Sequence, residues 1–141
     1  MIRDPDTLAA LRDGVARFVR DRLIPNEAIV ADTDAVPEPI IAEMKALGLF
    51  GLSIPEAYGG LGLTMEEEIV VAFELGRTSP AFRSLLGTNN GIGSQGLVLD
   101  GTPEQKARYL PRLASAELIA SFALTEPGSG SDAAGAPTSA R

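Results

Sequence analysis

The chain of 141 residues contains no cysteine, no histidine and no tryptophan. Without cysteine it has no disulfide and no thiol nucleophile. Without histidine it has no imidazole base and no histidine-held metal, and no carboxylate spacing suggests a metal site of the remaining kind. No apolar run is long enough to span a bilayer, and Met1-Ile2-Arg3-Asp4-Pro5-Asp6 lacks the pattern of a secretory leader. Positive charge is also scarce. There are 12 Lys and Arg against 19 Asp and Glu, a net charge of -7, which argues against a nucleic-acid surface. A cytoplasmic protein with neither membrane nor nucleic acid as partner is the expectation. Apolar residues make up 45% and charged residues 22%. A chain of this size can bury about 70% of its unfolded surface, enough for a core.

Helical patterning dominates the first 113 residues. Leu8, Leu11, Val15, Phe18 and Val19 recur at helical spacing, with a cap at Asp4 or Asp6 and an end near Pro25. Residues 26–36 are polar and read as a loop. A second helix is expected from about Pro37, with Pro39 in its first turn and a stop at Gly48. An apolar stretch and a glycine-rich turn follow, from Leu49 to Leu63. Thr64 and Glu67 form a capping box. The helix they open has Ile69, Val70, Phe73 and Leu75 as its apolar residues. The Glu66-Glu67-Glu68 run suits a helix N-terminus, where the dipole favours carboxylates, better than it suits acid–base catalysis. Residues 80–99 read as mostly helix despite four glycines, each of which lowers helix stability. Thr102, Pro103 and Gln105 start a last helix.

From Leu118 to Leu124 the apolar run favours a strand, with Ile119 and Phe122. It breaks into Thr125-Glu126-Pro127-Gly128-Ser129-Gly130-Ser131-Asp132. Turn residues there bring backbone N–H groups beside the hydroxyls of Thr125, Ser129 and Ser131, a plausible cradle for a phosphate or a polar ring. The same composition also makes bare turns and linkers. The stretch matches neither a Walker loop nor G-x-G-x-x-G.

The run from Ala123 to Gly135 resembles the signature segment of the acyl-CoA dehydrogenase family. Ile54-Pro55-Glu56, Tyr58-Gly59-Gly60 and Gly62 are similar to a loop of that family's helical domain. The helix from Gly101 to Ser115 resembles the one leading into the signature strand. The resemblance implies a mainly α fold. Residues 1–116 would form the N-terminal helical domain, and 117–141 the first strand of a truncated middle β domain. By this reading the chain supplies about the first third of a family member and stops mid-domain.

The family reaction is α,β-dehydrogenation of an acyl-CoA thioester with FAD. The resemblance carries flavin contacts onto Phe122, Ala123, Leu124, Thr125, Glu126, Pro127, Gly128, Ser129, Gly130 and Ser131. It carries substrate contacts onto Ser131, Asn90 and Gly93. Thr125 would bond the flavin ring, and Ser131 would lie near the pyrophosphate and the CoA portion. No catalytic residue is assigned, because the family's base lies beyond Arg141. Glu126 belongs to the flavin turn, and Asp132 is expected to accept turn amides. The implied partners are acyl-CoA, an electron-transfer flavoprotein or similar acceptor, and further copies in a dimer or tetramer. Two alternatives are a flavin monooxygenase or nitroalkane-oxidising relative on the same fold, and a non-catalytic helical interaction module.

Overall fold

The computed structural model describes residues 3–138. Seven α-helices follow in order: α1 (Pro5–Phe18), α2 (Glu27–Thr33), α3 (Glu38–Ala46), α4 (Met65–Leu75), α5 (Pro80–Thr88), α6 (Gln95–Asp100) and α7 (Pro103–Ala114). Both expected capping boxes form. Thr64 accepts from the Glu67 amide while Glu67 accepts from the Thr64 amide, and Thr102 and Gln105 do the same at α7. Each pair satisfies two amides that the helix cannot bond internally.

Helix α1 ends at Phe18, and the helical path runs on from it to Pro25 and Asn26. It widens into a π turn over Val19–Leu23 and tightens into a 3₁₀ turn over Ile24–Asn26, which tolerates Pro25 early in its single turn. The expected loop at 26–36 is in part a helix, α2. Only Val30 is buried, while Ala28, Ile29 and Ala31 are exposed beside the polar residues, so no apolar stripe marks it. A tertiary bond holds it: Glu27 Oε1 accepts from Thr78 Oγ1 and from the Ser79 amide, both at 2.7 Å. That carboxylate ties α2 to the start of α5.

The main core joins α1, α3, α4 and α5 through Val15, Phe18, Leu23, Ile40, Met44, Phe50, Val71, Leu75, Phe82 and Leu86. Helix α1 lies along α4. The buried stripe of α4 is Glu67, Val71 and Leu75, at i, i+4 and i+8. The expected stripe is therefore wrong at two positions: Ile69 is 47% exposed and Phe73 is 74% exposed. A smaller core joins Ile54, Leu110, Leu113 and Ala114, with Leu97, Val98, Leu118 and Ala120 against it.

The two cores meet at the glycine loop. The amides of Leu61, Gly62 and Leu63 donate to the carbonyls of Gly51, Ile54 and Leu52 at 2.8, 2.9 and 2.8 Å. This backbone zipper needs a residue without a side chain at its tightest point. A Cβ on Gly60 would collide with the Ile54 carbonyl oxygen.

Among the described residues no strand forms, which corrects the expected strand at 118–124. The segment is extended but has no neighbouring strand, and a strand exists only as one side of a ladder. The sole β bridge described is Glu126 with Ser129.

Candidate functional site

The helical stretch from α5 to α6 is broken at its centre by a π turn, Asn89–Gly93, in which Gly91 has φ -88° and ψ -113°. Gly91 leaves the helical region, so the Asn90 carbonyl loses its place in the helical ladder. It gains three side-chain donors instead: Ser53 Oγ at 2.5 Å, Ser94 Oγ at 3.0 Å and Gln95 Nε2 at 3.4 Å. The buried side chains of both asparagines join the turn to its surroundings. Asn90 Nδ2 donates to the carbonyls of Leu49 and Leu86 at 2.7 and 3.1 Å. Asn89 Nδ2 donates to Phe50 and Leu113 at 2.8 and 3.1 Å, and its Oδ1 accepts from the Ala120 amide at 3.0 Å.

That last bond brings the extended segment against the turn. A Cβ on Gly93 would collide with Cβ of Ala120, so glycine there lets the segment approach. A cleft of about 440 Å³ opens beside the contact. Ser84, Leu85, Thr88 and Ile92 form one wall, and Ile119, Ala120, Ser121 and Phe122 form the other.

Past the cleft, Phe122, Ala123, Leu124 and Thr125 are all exposed, Phe122 at 54%. Among the described residues, none of the amides of Ser121 to Thr125 donates to another group. The chain then folds back on itself. The Glu126 amide donates to the Ser129 carbonyl at 2.9 Å and the Ser129 amide to the Glu126 carbonyl at 3.1 Å. Pro127 and Gly128 are the two residues between, as their turn chemistry implies. The Ser129 hydroxyl donates to the Asp132 carbonyl and is buried. Of the three hydroxyls expected to face outward, only Thr125 and Ser131 do. Asp132 Oδ1 accepts from the Gly135 amide at 3.2 Å, as expected for a turn residue.

The expected site residues thus fall in three places. Phe122 lines the cleft, and Ala123 to Ser131 continue from it through the turn. Gly93 lies where the two walls meet. Asn90 is not on the cleft. It lines a second cavity of about 240 Å³ between α4 and α5, with Glu68, Arg83 and Leu86. Burial pushes the Glu68 carboxyl up, opposed by the Ser53 hydroxyl. This is the one carboxyl of the described residues whose affinity for a proton is clearly raised, and it does not line the cleft. Sequence reasoning missed Ser84, Leu85 and Thr88 on the helix-side wall of the cleft and missed Asn89. The available signal was an Asn-Asn pair inside a glycine-rich helical stretch, where such residues are otherwise unfavourable.

Residues 5–117 match the family described as acyl-CoA dehydrogenase, N-terminal domain. The chain belongs to the acyl-CoA dehydrogenase family. An acyl-CoA dehydrogenase of Bacillus subtilis (strain 168) is 38% identical over 130 residues, which is 92% of this chain and 34% of that protein. The mitochondrial very long-chain specific acyl-CoA dehydrogenase of Macaca fascicularis is 41% identical over 134 residues, 94% of this chain and 20% of that protein. A crystal structure of acyl-CoA dehydrogenase complexed with FAD from Bacillus anthracis superposes with a TM-score of 0.79 at 35% identity. It covers 95% of this chain and 23% of the other. The chain therefore spans about a third or less of these acyl-CoA dehydrogenases. No described helix is long and apolar enough to cross a membrane. The described residues also contain no cluster of three carboxylates that could hold a metal ion.

Proposed function

We propose that this chain is the N-terminal helical part of an FAD-dependent acyl-CoA dehydrogenase, which converts an acyl-CoA thioester to a 2,3-enoyl-CoA. The observation that carries the reading is the exposed run Phe122 to Thr125. It offers apolar side chains and free backbone N–H groups beside a cleft. An exposed edge of this kind invites a covering group. A flat ring with one polar edge fits it, because the ring can lie on Phe122 and Leu124 while the Thr125 hydroxyl meets the polar edge. FAD, when bound, supplies the hydride acceptor.

The tasks of this chain's own residues are positional. Phe122 and Leu124 shield one side of the ring from water. Thr125 donates a hydrogen bond to it, and the turn at Glu126 to Ser129 aims the outward Ser131 toward the pyrophosphate and the CoA portion. The cleft receives the acyl chain. Gly93 acts by letting Ala120 close the wall, and Asn90 acts by holding the π turn. Neither Glu126 nor Asp132 is assigned as the base that removes the α proton. The acceptor is an electron-transfer flavoprotein or similar protein, and the whole enzyme is a dimer or tetramer.

The test is an FAD titration of the purified chain, followed by flavin fluorescence. We expect weak saturable binding that Thr125→Ala weakens further. A lost hydrogen bond of this type costs about 0.5–1.5 kcal/mol. If the flavin signal does not respond to the protein, this reading of residues 122–131 is overturned. If FAD binds equally well to both proteins, Thr125 is not a contact.

A further inference from the structure

We infer that Asn89 is the positioning residue of this site: its carboxamide sets where the segment from Ile119 to Phe122 lies, and so the shape of the cleft and the line of approach to Thr125. The inference rests on the flavin reading only for its functional half. Asn89 is fully buried, and its three bonds go to three separate parts of the chain. Two donor bonds anchor the carboxamide to the Phe50 carbonyl and to the end of α7 at Leu113. Those anchors leave Oδ1 pointing at the segment, where it accepts from Ala120. Carboxamide geometry is what the place demands, since it supplies two donors and an acceptor in one plane.

The segment has little else to fix it. Between Leu118, whose amide donates to the Arg112 carbonyl, and Glu126, the Ala120 amide is the only backbone N–H of the described chain that donates to another group. Gly93 sets the complementary limit, how near Ala120 can come. One acceptor and one missing side chain therefore define the second wall of the cleft.

Amide hydrogen exchange read residue by residue tests this in the 141-residue chain without any ligand. In the unaltered protein the Ala120 amide should exchange at least about tenfold more slowly than those of Ser121 and Phe122. Equal rates for the three would overturn the inference. Asn89→Leu, of similar size but without the acceptor and the two donors, should abolish that difference and leave the Leu110 amide of α7 as protected as before. Equal loss of protection at Leu110 would show that Asn89 merely holds the core, and would also overturn it. Gly93→Ala guards against an Asn89→Leu protein that fails to fold. It keeps the Asn89 carboxamide but sets a methyl group against Ala120 Cβ and the Thr88 carbonyl oxygen, so it should still speed Ala120 exchange; unchanged Ala120 exchange in this variant counts against the inference. FAD titration separates the two readings. If FAD does not bind the unaltered chain, the flavin reading fails while the exchange rates still decide the position of the segment. If FAD binds and Asn89→Leu leaves its affinity unchanged, the functional half of the inference is overturned.

Discussion

At the scale of single residues, Glu67 ties the start of α4 to Arg3. Its carboxylate accepts from the Arg3 amide at 3.0 Å, the Thr64 amide at 2.7 Å and the Arg3 guanidinium at 3.1 Å. The Arg3 and Thr64 amides bring its pKa down from an ordinary 4.5 to about 2, against the opposing effect of burial. A folded value below the unfolded one means that the bonds stabilise the fold fully above pH 4.5. That contribution fades as the pH falls toward 2. Glu67→Gln should lower the melting temperature at pH 7, and the gap to the unaltered protein should shrink steadily between pH 4.5 and 2. A gap independent of pH would assign the effect to packing instead of charge. Half of this cluster was legible in the sequence. The bond between Thr64 and Glu67 spans three residues and follows from helix geometry, whereas Arg3 lies 64 positions away and nothing local announces it.

At the scale of elements, what could be read depended on whether the cause was local. The capping boxes at Thr64 and Thr102 and the prolines in the first turns of α3 and α7 were legible, because each is settled within one helical turn. Helix α2 was not, since only the long-range bond from Thr78 and Ser79 to Glu27 explains how a seven-residue helix with one buried side chain is held. The buried stripe of α4 was misplaced because Ile69 and Phe73 are as apolar as Val71 but face outward. The strand at 118–124 failed for the converse reason: its propensity is sound, but a partner strand is a property of other chain segments. The turn of the signature run was legible from Pro127 and Gly128, yet only the folded chain shows that Ser129 is spent inside it. The glycine loop gives a prediction at this scale. Gly60→Ala forces a methyl group into the Ile54 carbonyl and must shift the backbone zipper that joins the two cores. Overpacking of this kind costs about 1–3 kcal/mol. Thermal unfolding followed by circular dichroism should show the loss, whereas Gly96→Ala, with no neighbouring atom close and no positive φ, lacks the collision.

At the scale of the whole molecule, the decisive matter is a count of working parts. Dehydrogenation needs a flavin held on its faces, a polarised thioester carbonyl and a desolvated carboxylate at the α carbon. The proposed site offers one flavin wall and one cleft. Its nearest carboxylates, Glu126 and Asp132, lie in the turn. Glu68, the carboxyl raised by burial, lines a different cavity. Loss of a positioned base alone removes roughly 10²–10⁴ in rate. Purified chain mixed with FAD, a series of acyl-CoAs and a dye acceptor should therefore form no enoyl-CoA above the protein-free rate. Turnover that disappears in Glu126→Gln would reverse this and make Glu126 the base.

The break at Gly91 also has a consequence for direction. With φ -88° and ψ -113°, Gly91 ends one helix and lets another begin, so α6 extends neither the axis nor the apolar stripe of α5. Phe82 and Leu86 of α5 face the main core, while Leu97 and Val98 of α6 pack on the smaller one with Leu110. A single residue thus makes a corner, and the corner lets one short run of chain be shared between both cores.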